Sequence, residues 1–253
     1  MRHQARKRFG QNFLQDQQLI SEIISYINPQ ENDPLVEIGP GLGALTTPLL
    51  ACLSKLSVVE IDRDLVARLQ AKQAPGLTII EADALQVDWR ELAGDGRLRL
   101  VGNLPYNIGT PLLLKLAQQA NVLIDVHAML QKEVVDRITA KNGTRSFGRL
   151  SVMIQACFEV HTLLDVPPEA FDPPPKVQSA VIRMVPHAEQ PSASELASLE
   201  AVARLAFANK RKTLRNNLKK YISDEQFSDV GIDPGARAET LGLPQFFTLA
   251  KLL

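Results

Sequence analysis

Short apolar runs recur along this chain with room for one helix between each pair, and that alternation restricts the fold more than any other feature. Residues 35–38, 57–61, 77–80, 98–101 and 122–130 read as strands, each bounded by turn residues. Helical patterns lie before and between them. Leu19, Ile20, Ile23, Ile24 and Ile27 form one apolar face behind a capping Asp16, residues 44–52 form a second helix, Leu65, Val66 and Leu69 mark a third, and residues 111–119 form another. Strands alternating with helices imply an α/β fold, a parallel sheet wrapped by helices in the Rossmann-like manner. Residues 159–166 and 177–185 read as a last strand pair around the Pro-rich run 167–175. After a polar linker, Ser192 and Glu195 make a capping box for a helix bearing Leu196, Leu199, Val202, Ala203 and Ala206. Three more short helical patterns follow, one opened by Asp233-Pro234. The expected organisation is a Rossmann-like domain over residues 1–187 and a small all-helical domain over 188–253.

The 28 Lys+Arg balance 28 Asp+Glu, yet the charge is unevenly spread. Arg2, Arg6, Lys7 and Arg8 stand together without an acid. So do Arg204, Lys210, Arg211, Lys212, Arg215, Lys219 and Lys220, whereas the next twenty residues carry five acids and one Arg. Two such blocks in a neutral chain suggest a polyanion such as RNA or DNA; taken singly, either reads as the solvated face of a helix. The N-terminal block is followed by no apolar core, and Phe9-Gly10-Gln11-Asn12-Phe13-Leu14 reads as a structured turn rather than a targeting segment. No run approaches the length of a membrane helix. Cys52 and Cys157 are too few for a disulfide framework, and a reducing, cytoplasmic setting is expected. His3, His127, His161 and His187 are scattered, with no metal-ligand spacing among them.

Ligands of a parallel sheet sit at the carboxyl ends of its strands, so those ends are where chemistry is expected. The first reads Glu37-Ile38-Gly39-Pro40-Gly41-Leu42-Gly43, a glycine turn between strand and helix that lets backbone approach a nucleotide-like ligand. Its G-x-G-x-G spacing differs from that of dinucleotide folds. The second ends at Glu60, a carboxylate able to accept from both hydroxyls of an adenosine ribose. The third runs into Glu81-Ala82-Asp83-Ala84-Leu85, where Asp83 can accept from an adenine amino group and Glu81 competes for that role. Asp88 reads as a cap.

The fourth strand runs into Asn103-Leu104-Pro105-Tyr106. An aromatic amine is a poor nucleophile because its lone pair is delocalised into the ring. Two acceptors holding its two hydrogens favour a pyramidal nitrogen and free that pair. The Asn103 amide oxygen and the Leu104 carbonyl can serve, with Pro105 fixing the local backbone and Tyr106 offering a stacking face. Asn has no ionisable group, so the proton leaves after attack, and catalysis rests on positioning.

These motifs, in this order, resemble the rRNA adenine dimethyltransferases. The resemblance is carried by Phe9-Gly10-Gln11-Asn12-Phe13-Leu14, by the run 37–43 and by Asn103-Leu104-Pro105-Tyr106. It extends to Phe171-Asp172-Pro173-Pro174-Pro175-Lys176-Val177-Gln178-Ser179 and to the run 210–218. It covers essentially the whole chain, and Leu104 with the run 210–218 favours the small-subunit over the large-subunit type. It implies a class I methyltransferase domain using S-adenosylmethionine, without a metal. Asn12, Leu14, Gly39, Gly41, Glu60, Asp83 and Asn103 would line the donor pocket. Phe171 would stack on a flipped base opposite Tyr106; its other reading is a loop anchor under the Pro run. Arg6, Lys7, Arg8, Lys210, Arg211, Lys212 and Arg215 would contact RNA phosphates. The implied partner is small-subunit rRNA in a partly assembled particle; a monomer is expected, since no long apolar surface pattern asks for a partner. A binding-only relative of the family and a nicotinamide-dependent oxidoreductase are the rival readings. The intact 103–106 motif and the glycine spacing speak against them.

Overall fold

Asp16 starts the first helix as its sequence suggests: Oδ1 accepts from the Gln18 and Leu19 amides at 2.9 and 3.0 Å. The helix ends at Asn28, which takes the left-handed conformation. The computed structural model describes Arg6 and residues 10–253. Strands are β1 (Phe13–Leu14), β2 (Leu35–Ile38), β3 (Leu56–Glu60), β4 (Leu77–Glu81), β5 (Leu98–Asn103), β6 (Leu123–Gln131), β7 (Phe158–Val166), β8 (Phe171–Asp172) and β9 (Ser179–Pro186). Helices are α1 (Gln17–Ile27), α2 (Thr46–Leu50), α3 (Arg63–Ala71), α4 (Trp89–Ala93), α5 (Gly109–Gln118), α6 (Lys132–Ile138), α7 (Arg149–Gln155), α8 (Ala193–Ala206), α9 (Leu214–Leu218), α10 (Asp224–Asp229) and α11 (Leu243–Ala250).

The chain divides into two units, Met1–Val135 with Val160–Pro186 and Asp136–Glu159 with His187–Leu253. The expected boundary at 187/188 lies where the second unit resumes. That unit also takes in 136–159, which the sequence reading gave to the first. Its own packing explains the difference: Phe147 meets Phe207 edge-on at 6.3 Å and Phe246 at 6.4 Å, and Arg149 pairs with Glu200.

The first unit holds a seven-stranded sheet in the order β4-β3-β2-β5-β6-β9-β7. The β3–β4, β2–β3, β2–β5 and β5–β6 pairs are parallel, and β9 runs antiparallel to β6. The arrangement is Rossmann-like. The chain leaves β2 for β3 and β4, then returns to place β5 on β2's other side, so β2 and β5 flank a topological switch point. Leu35, Leu56, Val58, Val101, Met129 and Val181 belong to one buried cluster with Ile20, Ile23 and Ile27 of α1 and Leu49 of α2. Burying such a side chain is worth about 1.5–3 kcal/mol. Outside the sheet, β1 and β8 pair antiparallel, with Leu14 opposite Phe171 and Phe13 opposite Asp172.

In the second unit the Ser192–Glu195 capping box forms in both directions: the Glu195 amide donates to Ser192 Oγ, and the Ser192 amide to Glu195 Oε2. Leu199, Val202 and Ala203 of α8 are fully buried, as are Phe246 and Leu249 of α11, and the Phe207 and Phe246 rings stack at 5.6 Å. Asp233-Pro234 does not open a helix. Asp233 Oδ1 accepts from the Gly235 amide at 2.8 Å, closing an Asp-Pro-Gly turn instead. Among the described residues no helix is long and apolar enough to cross a membrane.

Candidate active site

Parallel register brings the strand ends together. Ile38 stands beside Val59, Glu37 beside Val101, and Glu60 beside Glu81, so the glycine turn, Glu60, Asp83 and Asn103 converge on one cleft of about 310 Å³ in the first unit. Gly39, Gly41 and Gly43 have φ of +67°, +58° and +89°, values that L side chains rarely adopt. A Cβ on Gly41 would come within 3.1 Å of the Phe13 ring. The turn is thus a cradle kept open by missing side chains.

Glu60 is buried at the end of β3, where the Ile61 and Asp62 amides donate to Oε1 at 2.9 Å and the Gly41 amide to Oε2 at 3.3 Å. Burial raises its pKa and the three amides lower it, with burial the larger effect. Asp83 lines the cleft while its Oδ1 accepts from the Leu85 amide. Glu81 is taken up by Arg63 at 2.9 Å on the exposed side, which removes it from competition with Asp83. Asp88 caps α4, as the sequence suggests.

On the opposite wall, residues 10–14 form a strap. Asn103 Nδ2 donates to the Asn12 carbonyl at 3.0 Å, so the Asn103 amide oxygen is the end left to accept a further hydrogen. Leu104 donates its amide to the Met129 carbonyl at 3.1 Å, tying the motif to β6. Tyr106 OH is 2.7 Å from the Oγ of buried Ser179, and burial raises the phenol's pKa, keeping it neutral. Glu37, 2% exposed, lies in the floor of the cleft; burial pushes its carboxyl up to about 7 against the lowering effect of Thr46 Oγ1, which donates to it at 2.6 Å.

The cleft therefore gathers Asn12, Leu14, Gly39, Gly41, Glu60, Asp83, Asn103, Leu104, Pro105 and Tyr106 from the sequence reading. It does not gather Phe171. That ring is 4% exposed, inside the buried cluster with Leu14 and Ile20. Arg6 is not an open phosphate contact: Nη1 pairs with Asp62 at 2.8 Å and Nη2 with Asp64. Lys7 and Arg8 lie outside the described residues. Lys210, Arg211, Lys212 and Arg215 are in the second unit and all four are exposed, with Arg215 Nε donating to Asp224 Oδ1 at 2.8 Å. Sequence reasoning missed Glu37 as part of the floor, although it is the only acid in a four-residue buried strand, and it missed the Asp62 contacts of the strap altogether. Among the described residues no group of three or more His, Cys, Asp or Glu could hold a metal ion.

A Rossmann-like sheet whose switch-point crevice carries a glycine turn, a buried carboxylate and an asparagine amide is the architecture of the S-adenosylmethionine-dependent methyltransferases. Residues 2–253 match the family model for ribosomal RNA adenine dimethylase, and the chain belongs to that family. It is 55% identical over 252 residues to the ribosomal RNA small subunit methyltransferase A of Laribacter hongkongensis, covering 99% of this chain and 96% of that protein. The protein of the same name from Dechloromonas aromatica is 51% identical over 253 residues, with 99% and 98% covered. Among solved structures, a dimethyladenosine transferase from Plasmodium falciparum shares the fold at TM-score 0.77 and 22% identity, over 94% of this chain and 95% of that one. The 23S rRNA methyltransferase ErmE superposes at TM-score 0.72 with 26% identity, over 96% and 99%.

Proposed function

We propose that the chain transfers methyl groups from S-adenosylmethionine to the exocyclic N6 of two adjacent adenosines near the 3′ end of small-subunit (16S) rRNA, giving dimethyladenosine during small-subunit maturation. The carrying observation is the Asn103 amide, whose nitrogen is held by the strap so that its oxygen is left to accept at the cleft. Names of relatives more than half identical over nearly their whole length support the small-subunit target.

The residues present fit the donor. Gly39 and Gly41 leave space that a Cβ would fill, Glu60 offers acceptors at ribose height, and Asp83 offers one to an adenine amine. Asn12 and Leu14 would close the pocket from the strap side. When bound, the sulfonium donor supplies an electrophilic methyl group. Asn103 Oδ1 and the Leu104 carbonyl accept the two N6 hydrogens, hold the nitrogen pyramidal and aim its lone pair. Tyr106, neutral and tethered to Ser179, presents its ring face to the base. No side chain here takes the N6 proton before attack; it leaves once the alkylated nitrogen has become acidic. The main catalytic contribution is orientation, for which effective molarities of about 10⁵ M and more are known.

Lys210, Arg211, Lys212 and Arg215 supply phosphate contacts from the helical unit, with Lys7 and Arg8 as their N-terminal counterparts. The partner is small-subunit rRNA within a partly assembled particle, and the chain acts as a cytoplasmic monomer. The test is transfer from labelled S-adenosylmethionine to unmethylated small ribosomal particles, with large-subunit particles as control, followed by mass spectrometry of the digested nucleosides. Dimethyladenosine in small-subunit RNA alone is expected. Label in large-subunit RNA, or donor binding without transfer, would overturn the reading.

A further inference from the structure

We infer that Asp62 is a positioning residue for methyl transfer, anchoring the N-terminal strap and through it setting the orientation of the Asn103 amide. The inference rests on the function proposed above. Asp62 is completely buried just after β3 and caps α3, its Oδ1 accepting from the Asp64 amide at 3.1 Å. A cap needs one carboxylate oxygen. Here both oxygens do more: Oδ2 accepts from Gln11 Nε2 of the strap at 2.9 Å, and Oδ1 from Arg6 Nη1, upstream of the strap, at 2.8 Å. Gln11 closes the ring, because its Oε1 accepts from the Arg6 amide at 2.8 Å.

One residue further on, the Asn12 carbonyl accepts from Asn103 Nδ2. Beyond that, Phe13 and Leu14 pair with β8, and the Gln15 amide donates to the Ala170 carbonyl at 2.8 Å. The strap is therefore fastened on both sides of Asn12, at Asp62 and at β8. The β8 end is an ordinary backbone ladder. The Asp62 end is a buried carboxylate that accepts from the Arg6 and Gln11 side chains, and charge-assisted bonds of this kind are the stronger ones. If Asp62 lets go, the Asn12 carbonyl loses its fixed position. The Asn103 amide is then free to turn its NH₂ toward an amine that needs an acceptor.

The polarity of the ring gives a test that separates this role from helix capping. Asp62→Asn keeps the size and the cap, since Asn and Asp are about equal as caps. It replaces one acceptor with a donor facing the Gln11 donor. In the Asp62→Asn, Gln11→Glu double variant the donor and acceptor exchange sides. The carboxylate introduced at position 11 would accept from both the side-chain amide introduced at position 62 and the Arg6 backbone amide, and the charge is restored. Single-turnover transfer to small ribosomal particles, donor affinity, thermal midpoint and backbone hydrogen exchange of residues 12–14 would be measured on full chains. The single variant should transfer about tenfold or more slowly, because small misplacements at a reacting centre cost that much. Its thermal midpoint should fall, since a buried ion pair is weakened and two donors face each other, and exchange at 12–14 should be faster. The double variant should recover both rate and protection. An unchanged rate in the single variant, or a loss that the double variant does not recover, would overturn the inference. Should the wild-type chain transfer no methyl, the function proposed above would fail. Exchange would then decide the anchor alone, and wild-type protection in Asp62→Asn would overturn it.

Discussion

Glu37 belongs to a strand whose four residues are all buried, and its carboxyl is lifted to about 7 chiefly by loss of water. Its ordinary value is 4.5, so between pH 4.5 and 7 the folded chain holds a proton that the unfolded chain has released. Stability from this group therefore falls as pH rises through that window. His127 acts in the opposite sense. It is buried on β6 and its pKa is pushed down to about 4, again chiefly by burial. Between pH 4 and 6.5 the unfolded chain binds the extra proton, so this contribution rises with pH and is lost on acidification. Because the two oppose, the wild-type curve alone separates neither. Glu37→Gln isolates the first, since the Gln oxygen can still accept from Thr46. Urea unfolding should show the variant gaining on wild type from pH 5 to pH 8, by on the order of 3 kcal/mol. A pH-independent difference would mean that Glu37 is not held neutral by burial.

β2 and β5 leave no room for a side chain beside the site. A Cβ on Gly102 would lie 2.4 Å from the Ile38 carbonyl oxygen, so this position admits only glycine without pushing the strands apart. Gly102→Ala should cost about 1–3 kcal/mol in urea unfolding, the range for an overfilled interior. It should also slow transfer, because Asn103 is the next residue. Stability within a few tenths of wild type would show that the strands part freely there. The same strands explain what could be read from sequence. β2 matches its apolar run residue for residue, and the carboxyl-end rule led directly to Gly39, Glu60, Asp83 and Asn103. Expected helix 44–52 shrinks to α2, and β6 begins one residue late after a 3₁₀ turn at Ala120–Val122, the ordinary drift of element ends. The β1–β8 ladder was not legible, since two-residue strands carry no periodicity. Nor was the helical run α6–α7, whose members have seven residues each. Asp233-Pro234 looked like a helix start because both residues favour one, but Gly235 completes a turn. Phe171 lay beyond any local pattern: its burial depends on Leu14 and Ile20, distant in sequence.

At the scale of the whole molecule, the function proposed above divides the work between the two units. The sheet unit contains every residue that lines the cleft, and the helical unit carries the basic run at 210–220. That division is the central claim, and it calls for opposite defects in two variants. Single-turnover transfer to small ribosomal particles and particle binding across a salt series would be measured for wild type, for Asn103→Ala and for Arg211→Ala, Lys212→Ala, Arg215→Ala combined. Asn103→Ala should lose about 10²-fold in rate while its donor and particle affinities stay within a few fold. The triple variant should bind particles more weakly and lower the salt slope by about 2, yet transfer at close to the wild-type rate once particles saturate it. Asn103→Ala transferring at the wild-type rate, or both variants losing binding and rate alike, would contradict it.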